Sequence, residues 1–438
     1  MKTVALYTLG CKVAQYETEA IAEGFETLGF RVVPFESIAD VYVINTCTVT
    51  AESDRKSRQV IRRAVKRNSS AIVMVTGCYS QTSSDEVLRI AGVSYVGGTE
   101  RKMRLPAEAE VLLAKRRAGV DFPPVCDSTP LDGVSFERMS VKHAPRTRAY
   151  VKIEDGCECR CAYCAIPGAR GDVRSKRGED VLAEVKALAE GGTREIVLTG
   201  IEIASYGADL DGFRLIDLLE MLDAANTGVR FRLGSITPEI MREEFVLRLS
   251  RLASIVPHFH ISMQSGSDAV LRGMRRRYTS EMALFALECL RRHIPGVRFT
   301  TDMMTGFPGE GEREFAETMA FTEKANFLDM HIFAYSRRKN TPAATYPDQV
   351  EESVKKERSA KLIALASKLR ERNLEELIRK GQPLSVLFET HEGVYMIGHS
   401  AEYAEVYAVT DEALHGEIRR VMPLRTENGI LYGTLICD

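Results

Sequence analysis

Three cysteines lie close together in one short stretch of the chain, at Cys157, Cys161 and Cys164. Their spacing, C-x3-C-x2-C, is the most informative pattern in the sequence. Three thiolates at this spacing on one loop can hold three irons of a [4Fe–4S] cluster and leave the fourth iron open to a small molecule. A disulfide pair, or a zinc site that also uses Cys159, is the alternative, although zinc sites usually bring two separated C-x2-C pairs.

Three further cysteines each follow an apolar, strand-like run by two or three residues. Helical patterns at Tyr16–Leu28 and Glu52–Lys66 lie between these runs, which predicts a parallel α/β sheet. Ligands collect at the carboxyl ends of parallel strands, so we expect the three thiols to converge on a second cluster. Three unconnected core cysteines are the alternative. The runs and their cysteines are Val4–Leu9 with Cys11, Val41–Ile44 with Cys47, and Ile72–Val75 with Cys78.

The sequence predicts a protein of the α/β class that is divided into four segments. Residues 1–115 form the open parallel α/β domain, and the Pro-containing stretch 116–145 has the composition of a linker. The alternating pattern of residues 146–372 predicts a partial (β/α)6 barrel with its active site at the carboxyl ends of the strands. This segment ends in a charged helix. Residues 373–438 contain five short strand-like runs and predict a small antiparallel β-barrel. The six central strands are expected at Ala149–Ile153, Glu195–Gly200, Arg230–Ser235, His258–Met263, Arg298–Met303 and Met330–Tyr335.

Composition excludes several classes of protein. The sequence of 438 residues contains no apolar run long enough to span a membrane, and it opens directly on a strand-like segment without the pattern of a signal peptide. Ten cysteines in such a chain favour metal ligation in a reducing, cytoplasmic environment. A net charge of −2 gives no overall attraction to nucleic acid, so any RNA binding must come from local basic patches.

The stretch that contains Cys157 resembles the cluster loop of the radical S-adenosylmethionine (SAM) enzymes, and the whole chain resembles their methylthiotransferase subfamily. The resemblance implies an auxiliary [4Fe–4S] cluster on Cys11, Cys47 and Cys78, a radical SAM core, and a C-terminal TRAM barrel. The segments that carry it are Thr8-Leu-Gly-Cys11-Lys-Val, Asn45-Thr-Cys47-Thr-Val-Thr, Thr76-Gly-Cys78-Tyr, His260-Ile-Ser-Met-Gln-Ser-Gly-Ser267 and Thr305-Gly-Phe-Pro-Gly-Glu310.

Three branches of this family differ in substrate. They modify isopentenyladenosine in tRNA, threonylcarbamoyladenosine in tRNA, or an aspartate of a ribosomal protein. The segments around Cys11 and at Leu198-Thr-Gly-Ile-Glu-Ile-Ala-Ser-Tyr-Gly207 resemble the threonylcarbamoyl branch, although Ala14 and Glu202 stand where that branch usually has Asn and His. The resemblance therefore predicts insertion of a methylthio group at carbon 2 of N6-threonylcarbamoyladenosine at tRNA position 37. A non-catalytic iron–sulfur RNA-binding module is the alternative from another class.

The resemblance also implies how the cofactors act. The open iron would chelate SAM, and an electron from an unidentified donor would yield a 5′-deoxyadenosyl radical. The auxiliary cluster would supply or carry sulfur, which a first SAM methylates, while the radical from a second SAM removes hydrogen from carbon 2. Cys159 is expected to be a bystander. The residues expected near SAM are Tyr163, Gly200, Glu202, Ser235, Gln264 and Ser265.

Three basic patches are candidates for phosphate contacts to a tRNA anticodon arm. Spacings of three and four residues place the first patch on one face of a helix. Ordinary solvated charge is the alternative for each patch. The patches are Arg55, Arg58, Arg62 and Lys66; Arg272, Arg275, Arg276 and Arg277; and Arg337, Arg338 and Lys339.

Overall fold

The structure is a computed structural model that describes residues 1–144 and 146–436. These residues form two compact units. The first unit comprises Met1–Lys142, Tyr150–Lys176 and Ser336–Ala344. The second unit comprises the remaining described residues. None of the described helices is both long and apolar enough to cross a membrane.

The first unit is built on a parallel sheet with the strand order β2-β1-β3-β4-β5-β6. Its strands are β1 (Thr3–Thr8), β2 (Arg31–Val33), β3 (Val41–Thr46), β4 (Ile72–Gly77), β5 (Val93–Gly97) and β6 (Val125–Asp127). Its helices are α1 (Lys12–Thr27), α2 (Ala51–Arg67), α3 (Cys78–Thr82), α4 (Ser84–Leu88) and α5 (Leu105–Arg117). The predicted parallel α/β domain is confirmed. Strand β6 lies within the stretch that the sequence indicated as a linker, and it pairs with β5.

Strands β3 and β4 consist largely of continuous apolar residues because both faces of these strands are covered. Every residue of the two strands is buried. Alternate side chains belong to two separate cores, with Tyr42 and Ile44 in one and Val41 and Val43 in the other. This arrangement is typical of parallel sheets with helices on each side.

The segment that carries the C-x3-C-x2-C motif follows in the same unit. Strand β7 (Arg148–Lys152) enters this unit at Tyr150, and β8 (Glu154–Asp155), α6 (Ile166–Arg170) and β9 (Arg174–Ser175) follow within it. Strands β8 and β9 pair antiparallel, so the two ends of the chain segment between them are held together. The motif therefore lies on a loop that is tied at both ends.

The second unit alternates strands and helices as the sequence predicted. Strands β10 and β11 pair in parallel, and a second parallel sheet has the order β12-β13-β14-β15. The strands are β10 (Glu195–Thr199), β11 (Arg230–Leu233), β12 (Ser235–Ile236), β13 (His258–Gln264), β14 (Arg298–Thr305) and β15 (Asp329–Ala334). The helices are α7 (Gly178–Glu190), α8 (Leu215–Ala224), α9 (Glu243–Leu249), α10 (Asp268–Gly273), α11 (Ser280–His293), α12 (Glu312–Ala325) and α13 (Glu352–Lys380).

The C-terminal strands close into a five-stranded barrel with the order β16-β17-β18-β20-β19. They are β16 (Leu384–Glu392), β17 (Tyr395–Ser400), β18 (Glu405–Val409), β19 (Ile418–Glu427) and β20 (Ile430–Leu435). The predicted barrel is confirmed, and all its pairs but one are antiparallel. Strands β18 and β20 pair in parallel because the chain passes through β19 between them.

Candidate metal centres

The loop that carries Cys157, Cys161 and Cys164 is shaped by backbone positions that few residues can adopt. Gly156 has φ +89°, and a Cβ there would lie 1.8 Å from the carbonyl oxygen of Asp172. The amide of Cys157 donates to the carbonyl of Gly171 at 3.0 Å, which fixes where the loop starts. Within the loop, Cys161 is buried and the other two ligand candidates are half-buried. The sequence thus folds the three thiols onto one short, anchored turn.

The other three cysteines follow the carboxyl ends of three neighbouring strands, and these ends lie side by side in the sheet. The register pairs Thr8 with Asn45 and Thr46 with Gly77, so β1, β3 and β4 end side by side. The cysteines follow these ends directly. Cys11 precedes α1, Cys47 follows β3, and Cys78 is the first residue of α3.

Close approach and electrostatics link these three thiols. A Cβ at Gly10, which has φ +114°, would lie 3.0 Å from the Cβ of Cys47, so only glycine lets the first loop pass the second. Burial is the largest of the causes that raise the pKa of Cys47 to about 11, and the neighbouring thiols of Cys78 and Cys11 act in the same direction. Solvent reaches Cys11, yet surrounding protein atoms desolvate its thiol and raise its pKa, a direction that Arg170 opposes and Cys78 reinforces. The three groups therefore act on one another.

Both cysteine sets supply thiols, which as thiolates are the donors that iron–sulfur clusters take. Among residues 1–144 and 146–436, no three His, Cys, Asp or Glu side chains are placed to hold one metal ion. A [4Fe–4S] cluster needs a wider arrangement, because each thiolate binds a different iron. Three cysteine thiols on a tied loop, and three more at the ends of neighbouring strands, supply that donor set. The residues present thus fit iron–sulfur ligation at both places.

A buried ion cluster, which the sequence did not reveal, lies between the two cysteine sets in the first unit. Glu17 is on α1, which starts beside Cys11, and Asp155 is two residues before Cys157. Burial alone would raise the pKa of Glu17, but Arg170, Lys102 and Lys152 hold it well below its ordinary value. The only signal in the sequence is a glutamate among the apolar positions of a helical face, at Val13, Ala20 and Ile21.

Arg170 is the centre of this ion cluster. Its Nη1 lies 2.5 Å from Glu17 Oε1 and 3.0 Å from Asp155 Oδ2, and its side chain is 1% exposed. Its Nε donates to the Sγ of Cys78 at 3.3 Å. Helix α6, which ends at Arg170, packs against α3, which begins at Cys78. One guanidinium thus contacts a thiol of one set and the base of the loop that carries the other set.

The residues expected near SAM are divided between the two units. Tyr163 is half-buried in the first unit, beside Cys164. In the second unit, Gly200 follows β10, and Glu202 accepts from the amide of Ala204 at 3.3 Å. Ser235 is exposed at the start of β12.

Gln264 and Ser265, at the carboxyl end of β13, differ in what their side chains do. Gln264 adopts φ +65°, a left-handed conformation that is strained for this residue type. Its side chain is buried, and its Oε1 has no hydrogen-bond partner among the described residues. Ser265 is satisfied internally, because its hydroxyl lies 3.2 Å from Thr318 Oγ1 and accepts from the amide of Ser267. A strained residue with an unpaired buried oxygen is typical of a ligand contact, and Gln264 has both features.

The basic patch on α2 presents three of its four members to solvent. Arg55, Arg62 and Lys66 are exposed, and Arg55 pairs with Glu52 at 2.7 Å. Arg58 is drawn inward, where its Nη1 donates to Tyr79 Oη at 2.9 Å. The helical spacing therefore placed the patch on one face, but it did not identify the member that packs.

The other two patches are also partly committed to the fold. Arg276 donates to the carbonyl of Ser262 at 3.0 Å, while Arg272, Arg275 and Arg277 are exposed. In the first unit, Arg338 pairs with Asp54 at 2.8 Å, and Arg337 donates to a backbone carbonyl. Lys339 is exposed.

Two family models match this chain, and each covers one of the two sets of cysteines. Residues 151–322 match the Radical SAM superfamily. Residues 3–98 match a family described as Uncharacterized protein family UPF0004.

Curated relatives span nearly the whole chain. The threonylcarbamoyladenosine tRNA methylthiotransferase MtaB of Bacillus subtilis is 41% identical over 97% of this chain and 94% of its own. The protein of the same name from Thermotoga maritima is 36% identical over 100% of this chain and 97% of its own. A tRNA-2-methylthio-N(6)-dimethylallyladenosine synthase from Moorella thermoacetica is 32% identical over 99% of this chain and 98% of its own.

Solved structures share the fold at low identity. The radical SAM methyltransferase TsrM from Kitasatospora setae, with cobalamin and a [4Fe-4S] cluster bound, superposes with a TM-score of 0.58 and 17% identity. The match covers 78% of this chain and 77% of TsrM.

Proposed function

Because this chain belongs to the radical SAM methylthiotransferases, we propose that it attaches a methylthio group to carbon 2 of N6-threonylcarbamoyladenosine at position 37 of tRNA. The observation that carries this proposal is full-length similarity to several relatives named for that substrate. Two relatives named for dimethylallyladenosine are 32% and 31% identical over a comparable length, below the 41% and 36% of the Bacillus subtilis and Thermotoga maritima proteins. A ribosomal aspartate is not favoured as the substrate.

Cys157, Cys161 and Cys164 are the residues that would hold the radical SAM cluster, and their three thiolates leave one iron free. When bound, this cluster supplies the electron that splits SAM reductively into methionine and a 5′-deoxyadenosyl radical. An unidentified one-electron donor must restore that electron. Gln264 is the strongest of the SAM candidates, because its buried amide oxygen has no partner among the described residues.

Cys11, Cys47 and Cys78 are proposed to hold the auxiliary cluster, which would bring the sulfur that is inserted. Their level positions at the ends of β1, β3 and β4 support this assignment. Both trios of thiols belong to the same compact unit, so their backbone supports are shared. The chain's own contribution is to keep both sets of ligands fixed before SAM and tRNA bind.

The tRNA is proposed to contact the exposed face of α2 through phosphate groups. Arg62 and Lys66 are exposed there and have no ion partner among the described residues. A single-stranded anticodon loop allows adenine to leave its stack at lower cost than a duplex does. A tRNA substrate and reduced thiol ligands also favour a cytoplasmic location.

The decisive experiment offers two tRNAs to anaerobically reconstituted protein with SAM and dithionite. One tRNA carries threonylcarbamoyladenosine and the other isopentenyladenosine at position 37. We expect mass spectrometry of the nucleosides to find the methylthio product only from the first tRNA. The Cys47→Ala variant should still form 5′-deoxyadenosine but no methylthio product. Product from the isopentenyladenosine tRNA alone would overturn the proposed substrate.

A further inference from the structure

The guanidinium of Arg170 is oriented by two carboxylates so that its Nε–H points to a sulfur. Its Nη1 and Nη2 lie 2.5 Å and 3.2 Å from the two oxygens of Glu17, and Nη1 also contacts Asp155. A planar group bound at one edge in this way cannot rotate, so the direction of Nε–H is fixed. That N–H meets Cys78 Sγ at 3.3 Å.

The carboxylates that orient Arg170 are themselves held in place. Lys152 Nζ lies 2.9 Å from Glu17 and 2.5 Å from Asp155, and Lys102 also pairs with Glu17. The side chains of all these residues are at most 3% exposed. Burial makes an unpaired charge costly, so the ion cluster is expected to keep one geometry.

We propose that Arg170 is a positioning residue for the auxiliary cluster, and that its Nε–H donates to the Cys78 thiolate and raises the reduction potential of the iron bound there. The inference rests on the proposed function, since it requires a cluster on Cys11, Cys47 and Cys78. Hydrogen bonds to the cysteine sulfurs of iron–sulfur clusters stabilise the reduced, more negative state. The same guanidinium touches Asp155, two residues before Cys157, and so it ties the two ligand sets together.

Arg174 is a matched control in the same unit. It is buried, pairs with Glu100 at 2.6 Å and lies 3.6 Å from Asp155. Among the described residues, the hydrogen bonds and ion pairs of Arg174 do not include a cysteine. Loss of Arg174 therefore disturbs the same ion cluster without removing a donor to sulfur.

The test uses the full chain with Cys157, Cys161 and Cys164 all changed to alanine, so that only the auxiliary cluster can form. Iron and sulfide content, together with the electron paramagnetic resonance spectrum of the reduced protein, first report whether that cluster is present. A redox titration then gives its midpoint potential with Arg170 intact, with Arg170→Gln, with Arg170→Lys, and with Arg174→Gln.

We expect Arg170→Gln to lower the reduction equilibrium constant about tenfold, which is about 59 mV for a one-electron couple. Arg170→Lys, which keeps the charge for folding but loses the planar N–H, should lower it by less, and Arg174→Gln should leave it unchanged. If Arg170→Gln does not fold, Arg170→Lys decides alone. Potentials equal to that of the parent, or an equal fall in Arg174→Gln, would overturn the role of Arg170 and leave the proposed function standing. Absence of any cluster with Arg170 intact would overturn both.

Discussion

The carboxylate of Glu195 lies 2.9 Å from the Nε of Arg232, and both side chains are at most 3% exposed. Arg230 reaches the same carboxylate at 2.6 Å. The outer N–H groups of both arginines donate to backbone carbonyls of the C-terminal barrel, at Ser385 and Ser400. Glu195 therefore fixes the two arginines that join β11 to the barrel within the second unit.

This relationship predicts a loss of stability in acid. Burial would raise the pKa of Glu195, but Arg232, Arg230 and Arg148 lower it to about 2 from an ordinary value of 4.5. Because the unfolded chain takes up the proton first, the contribution of Glu195 is complete above pH 4.5 and is lost as the pH falls toward 2. We expect Glu195→Gln to cost roughly 3 kcal/mol at neutral pH and almost nothing near pH 2.

Urea unfolding of the metal-free full chain across this pH range measures the effect. Glu389, which contacts Arg148, also titrates with a lowered pKa, so the informative quantity is the difference between the parent and the variant. Glu323→Gln, at an exposed position of α12, is the control and should change stability by less than about 0.5 kcal/mol at any pH. A difference for Glu195→Gln that does not change with pH would contradict this account.

Charge reversal on α2 should weaken tRNA binding without affecting SAM cleavage. Arg62 is exposed there, so Arg62→Glu removes one phosphate contact with little structural cost. The slope of the logarithm of the binding constant against that of salt should fall by about one. Arg31→Glu, at an exposed position of β2, is the charge-matched control. Equal affinities of the two variants in a salt titration would remove α2 from the binding surface.

Cys159 is predicted to be dispensable for the first cluster. It lies half-buried in the motif loop, and Arg160 after it adopts φ +46°, which turns the backbone before Cys161. We expect Cys159→Ala to retain its full iron content after reconstitution, whereas Cys161→Ala should lose about half of the total. Iron analysis and Mössbauer spectroscopy distinguish the two outcomes. Loss of iron from the Cys159 variant would show that it is a ligand.

Gln264 and Ser265 are predicted to separate SAM binding from stability. Gln264→Met removes an amide that has no partner for its buried oxygen, so the fold should change by less than about 1 kcal/mol. SAM affinity, measured by equilibrium dialysis of the reconstituted protein, should fall about tenfold. Ser265→Ala loses internal hydrogen bonds and should cost about 1 kcal/mol with SAM affinity retained. The reverse pattern would assign the contact to Ser265.

The order of strands and helices followed from local patterns. The apolar runs before Cys11, Cys47 and Cys78 became β1, β3 and β4, because continuous apolar strands between helices have few other ways to be buried. Strand β6 was not predicted, since three half-polar residues carry no periodicity of their own. Its formation depends on pairing with β5.

The cysteine spacing and the position of each cysteine after an apolar run predict the chemistry of the site, because ligand type and spacing along the chain can be seen in the sequence. Which charged residues are free was decided only by tertiary packing. Arg58, Arg276 and Arg338 turn inward, and Arg170 reaches Cys78 from 92 residues away in sequence. Such contacts depend on which elements pack together, and no periodicity of a single segment records that choice.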